Sequence, residues 1–124
     1  MAEQSEDRIE QASAVLIAFS KWINEGMEGK DPEAITLHRV FKLAEENGEV
    51  ASALIGALGA NRRKGRNKTL DEAKDELLDV MVTAVGAYEH LDGHSGQSID
   101  RFLEKIHSVA ARAGIPGAEQ SFEG

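Results

Sequence analysis

Two groups of carboxylates carry most of the chemistry that this sequence offers. Glu45, Glu46 and Glu49 fall within five positions, and Glu76 and Asp79 stand three apart after a gap of 26 residues. On a helix, at about 100° per residue, the first three share an arc of about 100°, while Leu37, Val40, Ala44, Ala51 and Ile55 take the other side. Glu76 and Asp79 share a face of their own segment, opposite much of the apolar set Ala73, Leu77, Val80, Met81 and Tyr88. Like charges at this spacing repel, so a helix gains nothing from concentrating them unless a cation is shared. Clustered hard oxygen donors on rigid helices suit Mg²⁺, with Mn²⁺ as a substitute, because both favour octahedral oxygen coordination and keep positions open for water and phosphate. Asp79 is flanked by Leu77, Leu78, Val80, Met81 and Val82, and a carboxylate buried in such a segment is costly without a cation or donors. The plainer alternative is a pair of solvated faces on an acidic protein. A di-iron carboxylate bundle needs Glu-x-x-His on two helices; Glu104 with His107 supplies that spacing once and nothing pairs with it.

A second cluster has the opposite sign. Arg62, Arg63, Lys64, Arg66 and Lys68 supply five of the fourteen basic residues within seven positions, in a stretch that also holds Gly59 and Gly65. Arg and Lys in such a loop grip phosphate oxygens through charge-assisted hydrogen bonds, and the loop leads directly to Glu76 and Asp79. A polyphosphate fits between cation and loop; a merely solvated loop is the competing reading. The glycine spacing of a Walker A loop is missing. His38, His90, His94 and His107 show no nucleophile-and-base arrangement, although His90 and His94 straddle a turn and could take up a stray metal.

Four helices must position these groups. The first is expected from about Ser5 to Asn24, with Ile9, Ala12, Val15, Leu16, Phe19 and Ile23 as its apolar stripe and Gly26 as its stop. Asp31 and Pro32 read as N-cap and first turn of a second helix running to about Leu58, stopped by Gly59. Residues 59 to 68 are the basic loop. Thr69 with Glu72 is a capping-box signature for a third helix reaching about Leu91, and Ser98 is expected to cap a fourth that ends near Ala113, before Gly114 and Pro116. Residues 117–124 are expected to form a loose tail. The fold class is therefore all-α, a four-helix bundle in one domain of 124 residues, with an aliphatic core because aromatics are only 5%. A core of this size makes a helical dimer plausible.

The net charge of −8 argues against general nucleic-acid binding, which needs basic surface. The chain has no cysteine, which excludes disulfides and thiolate metal sites. Its longest apolar run, Ala14 to Phe19, is too short for a membrane span and follows acidic rather than basic residues, so neither a signal peptide nor membrane attachment is expected. A cytoplasmic location is the expectation.

Glu45-Glu46-x-x-Glu49 followed by Glu76-x-x-Asp79, with the Asn61-to-Arg66 loop between them, resembles the signature of the MazG-like branch of the all-α nucleoside triphosphate pyrophosphatases, related to the dimeric dUTPases. The resemblance spans roughly Val40 to Tyr88; elsewhere it is one of helical layout. It implies a MazG fold, assembled as a homodimer or higher homo-oligomer, that hydrolyses a (deoxy)nucleoside triphosphate to monophosphate and pyrophosphate in nucleotide house-cleaning. It implies Mg²⁺ held by Glu46, Glu49, Glu76 and Asp79, with Glu45 as a further ligand or as the group orienting the attacking water. Lys64 and Arg66 would hold the outgoing phosphates, with Arg63 and Arg62 behind them. Trp22 would stack on the base or close its pocket, against the alternative of simple core or interface packing. The relation to dUTPases puts dUTP first among substrates. A non-catalytic, nucleotide-binding regulatory dimer is the alternative function.

Overall fold

The computed structural model describes residues 2–119, and these form four α-helices with no strand among them. α1 spans Ala2–Glu25, α2 Pro32–Leu58, α3 Leu70–Leu91 and α4 Ser98–Arg112. No helix is long and apolar enough to cross a membrane.

Both ends of α2 and the start of α3 fall on local signals of the sequence. Asp31 accepts a hydrogen bond from the Glu33 amide at 2.9 Å, Pro32 opens α2, and Gly59 closes it in the left-handed region at φ 67°, its N–H bonded to the Ile55 carbonyl. Thr69 and Glu72 form a complete capping box at the start of α3.

Ser98 does not cap α4. Gln97 stands at the cap without a side-chain bond, and the Ser98 hydroxyl is buried without a partner. The free amides are met from another element: Glu89, fully buried on α3, accepts from Gly96 N at 2.8 Å and from Ser98 N at 3.3 Å. A carboxylate at a helix N-terminus is favoured by both the open donors and the helix dipole. Of the expected tail, residues 120–124 lie outside the described residues, while Ala118 is buried and its carbonyl accepts from His107 Nδ1 at 3.0 Å.

α2 and α3 form an antiparallel hairpin. Its seam uses α2 positions Thr36, Arg39, Leu43, Glu46, Val50, Ala53 and Ala57 and α3 positions Ala73, Glu76, Val80, Thr83, Ala87 and His90, every one buried or half-buried. The alternating spacing of three and four is that of two helices packed side by side. This overturns the apolar face expected for α2: Leu37, Val40, Ala44, Ala51 and Ile55 are all exposed. On α3, Ala73 and Val80 do pack inward, but Leu77, Met81 and Tyr88 are exposed. The expected α1 stripe also lies mostly outside, with Val15 at 66% exposure and Phe19 at 44%, whereas Ser20 is fully buried. α1 crosses the end of the hairpin remote from the 59–68 loop, and α4 packs on α3 and α1.

Candidate metal centre

Two seam positions are carboxylates, and they face each other. Glu46 on α2 and Glu76 on α3 are half-buried, and with exposed Asp79 each offers an oxygen within 4.8 Å of the other two. The i,i+3 spacing of Glu76 and Asp79 aims both at Glu46 across the hairpin. Desolvation raises the Glu76 pKa above the ordinary carboxylate value, with the charges of Asp79, Glu49, Glu46 and Asp75 adding to it. The expectation that Asp79 would bear the cost of burial is corrected: Asp79 and its neighbours Leu77 and Leu78 are exposed, and Glu76 carries that cost.

The other two glutamates stand outside this triad. Glu49 is exposed, yet close enough for its charge to act on Glu76. Glu45 turns to Lys42, whose ammonium lies 3.2 Å from Glu45 Oε1 and 3.7 Å from Glu46 Oε1. The hydrogen bond and charge of Glu45 are the main reason the Lys42 pKa is raised. Three carboxylate oxygens from two helices lie close enough together to hold one cation, and hard oxygen donors of this kind suit Mg²⁺ or Mn²⁺.

The basic loop has a defined shape. Asn61 Oδ1 accepts from the amides of Arg63 at 3.0 Å and Lys64 at 3.2 Å, and Gly65 N returns to the Asn61 carbonyl at 2.8 Å. The loop then docks back on α2 through Asn67 N, 3.1 Å from the Gly56 carbonyl. A Cβ at Gly56 would stand 2.4 Å from Asn67 Oδ1 and 2.6 Å from Lys68 Cγ, and one at Gly59 would stand 2.8 Å from Arg66 Cγ. Arg62, Arg63, Lys64, Arg66 and Lys68 are exposed and take part in none of the salt bridges among the described residues. Two turns of α3 separate Thr69 from Glu76, about 10 Å by helical rise.

Trp22 is 65% exposed and stacks on Phe19, with ring centroids 5.9 Å apart. Its neighbour Ser20 touches Gly86 and Arg39, each seven residues, or about two turns, from Asp79 and Glu46 on the same helix. Trp22 thus belongs to a different level of the hairpin from the triad.

That level holds a polar cluster the sequence reading passed over. Arg39, only 5% exposed, donates from Nη2 to the Ser20 carbonyl at 2.6 Å, to Ser20 Oγ at 3.0 Å and to Asn24 Oδ1 at 2.8 Å. His90 and His94 border it, and both ring nitrogens of His90 and Nε2 of His94 are engaged in this network. A large concavity lies elsewhere, a groove of about 940 Å³ between α3 and α4 lined by Val85, Tyr88, Ile99 and Phe102. It is largely apolar, and Arg101 and Glu104 at its edge pair with each other at 3.1 Å.

No protein-family model, curated protein or solved structure matches the chain.

Proposed function

We propose that this chain is a divalent-metal-dependent nucleoside triphosphate pyrophosphohydrolase whose centre is the triad Glu46, Glu76 and Asp79. The observation that carries the reading is the placement of two carboxylates at facing seam positions, where apolar residues would stabilise the hairpin better and where a shared cation would offset a repulsion that Lys42, beside Glu46 alone, relieves on one side. The unpaired cations of the loop support a polyphosphate substrate. The sequence likeness to MazG-like pyrophosphatases supplies the bond cut, between the α- and β-phosphates.

Glu46, Glu76 and Asp79 would hold Mg²⁺ or Mn²⁺, and the ion would offset phosphate charge and ease deprotonation of water near neutral pH. Glu49, whose charge reaches Glu76 from outside the triad, would orient the attacking water and accept its proton. Attack in line on the α-phosphorus breaks the bond to the bridging oxygen, and pyrophosphate departs. Lys64 and Arg66 would neutralise charge as it builds on the leaving group, with Arg63 beside them. Glu45 acts indirectly by engaging Lys42. Trp22, about two turns from the level of the triad, would contact the nucleoside end of the substrate or an interface. dUTP stands first among candidate substrates.

The active unit we propose is a homodimer or larger assembly. A compact monomer of 13.4 kDa exposes about 6,500 Å² by the usual scaling, whereas this chain exposes 9410 Å². Leu37, Val40, Phe41, Leu58 and Leu77 lie open on the hairpin. That excess is of the size that obligate interfaces remove.

Single substitutions test the assignment. Glu76→Ala and Asp79→Ala should each lower turnover by at least about 100-fold while leaving helical circular dichroism unchanged, and Glu45→Ala should cost far less. Wild-type activity in both triad variants would sink the site.

A further inference from the structure

Arg39 is a donor at every nitrogen, and this fixes the protons of its neighbours. Asn24 must turn its oxygen to Arg39 Nη2, 2.8 Å away, so its amide nitrogen faces His90 Nδ1 at 2.9 Å. Nδ1 therefore accepts. The ring proton sits on Nε2 and is donated to Thr36 Oγ1 at 3.0 Å. Protonation of His90 would set Nδ1–H against the Asn24 amide, donor to donor; flipping Asn24 would move the same conflict to Arg39.

We propose that Arg39, Asn24, His90 and Thr36 form a proton-sensitive latch that holds α1 on the α2–α3 hairpin while His90 is neutral and releases it when Nδ1 is protonated. The chain joins all three helices, with Asn24 from α1, Arg39 and Thr36 from α2, and His90 from α3. Ser20 of α1 belongs to the same lock, donating to the Gly86 carbonyl at 2.9 Å and accepting from Arg39. No salt bridge among the described residues neutralises Arg39, so any further positive charge there meets one already buried. His94 lies 3.0 Å from Ser20 Oγ and adopts φ 60°, unusual for a residue with a side chain. It would add a second proton to the cluster.

The charged groups facing this pair are Arg39 from α2, Lys21 from α1 and Glu89 from α3. Burial, then Arg39 and the partner histidine, push the His90 pKa below its ordinary value near 6.5; burial, Lys21 and Arg39 do the same for His94 against a smaller pull from Glu89. Both folded values lie below the unfolded one. Docking is therefore at full strength above the ordinary histidine range and is lost as pH falls through the folded values.

Hydrogen exchange of the α1 amides, followed from about pH 8 to about pH 5 beside an NMR titration of the His90 ring, tests the latch. With intrinsic exchange corrected, α1 protection relative to α2 and α3 should fall by up to about tenfold per pH unit and proton in the window below the unfolded value. The fall should track protonation at Nδ1. His90→Gln, which can accept from Asn24 and donate to Thr36 without titrating, should make the profile shallower, leaving only the part due to His94. Protonation of His90 with α1 protection unchanged, or an equal pH dependence in wild type and His90→Gln, would overturn the proposal.

Discussion

Glu76 and Glu89 are both carboxylates on α3, one at the hairpin seam and one beneath α4, and their surroundings give them opposite roles. Glu89 is met by two backbone amides at a helix start. Replacing it by Ala strands Gly96 N and Ser98 N, and urea unfolding should show a loss of about 2–4 kcal/mol, with a smaller loss for Glu89→Gln. Glu76 faces other acids, and its raised pKa means that the folded chain binds this proton more tightly than the unfolded one. Stability therefore falls as pH rises from the ordinary glutamate value through the raised one, and the penalty persists at neutral pH. Thermal unfolding of the metal-free protein near pH 7 should accordingly show a higher Tm for Glu76→Gln than for wild type. Added Mn²⁺ should raise the wild-type Tm and leave that of the variant nearly unchanged; a lower Tm for the metal-free variant would mean that Glu76 stabilises the seam.

At the scale of elements, what the sequence revealed depended on whether the signal was local. Asp31, Pro32, Gly59 and the Thr69–Glu72 box act on their own backbone, so the bounds of α2 and of the start of α3 could be read directly. The cap of α4 comes from Glu89, seven and nine residues away from the amides it serves, and no local pattern encodes it. The helix faces misled for a different reason. Thr36, Arg39 and Glu46 on α2 and Glu76, Thr83 and His90 on α3 occupy inward positions, so hydrophobicity points away from the seam. The i,i+3 pair Glu76 and Asp79 shares a face whichever side the helix turns inward, and both meet Glu46, whereas Glu45 and Glu49 stand outside that triad. Gly56 went unnoticed as a packing residue because its constraint is the returning loop. Gly56→Ala should displace residues 67 and 68, cost about 1–3 kcal/mol in thermal or urea unfolding, and weaken substrate binding through Lys64 and Arg66.

For the whole molecule, the partly polar seam and the outward apolar faces support the proposed assembly, in which hydrophobic burial would be completed between chains. Val50, Ala53, Ala73 and Ala118 are the buried hydrophobic residues among those described, a small core for four helices, while Phe41 is 66% exposed and Leu37 54%. Light scattering on the purified protein should return a mass of at least two chains, and Phe41→Asp should lower that mass or the Tm; a well-folded monomer at micromolar concentration would contradict the assembly. The central claim is tested most directly by pyrophosphate release from a panel of common and deaminated nucleoside triphosphates, dUTP included, with Mg²⁺, with Mn²⁺ and with chelator. Release on one or a few of them that requires the cation and disappears in Asp79→Ala is the predicted result. A folded protein that binds nucleotide and releases no pyrophosphate under any of these conditions would contradict the enzyme assignment and leave a nucleotide-binding regulator in its place.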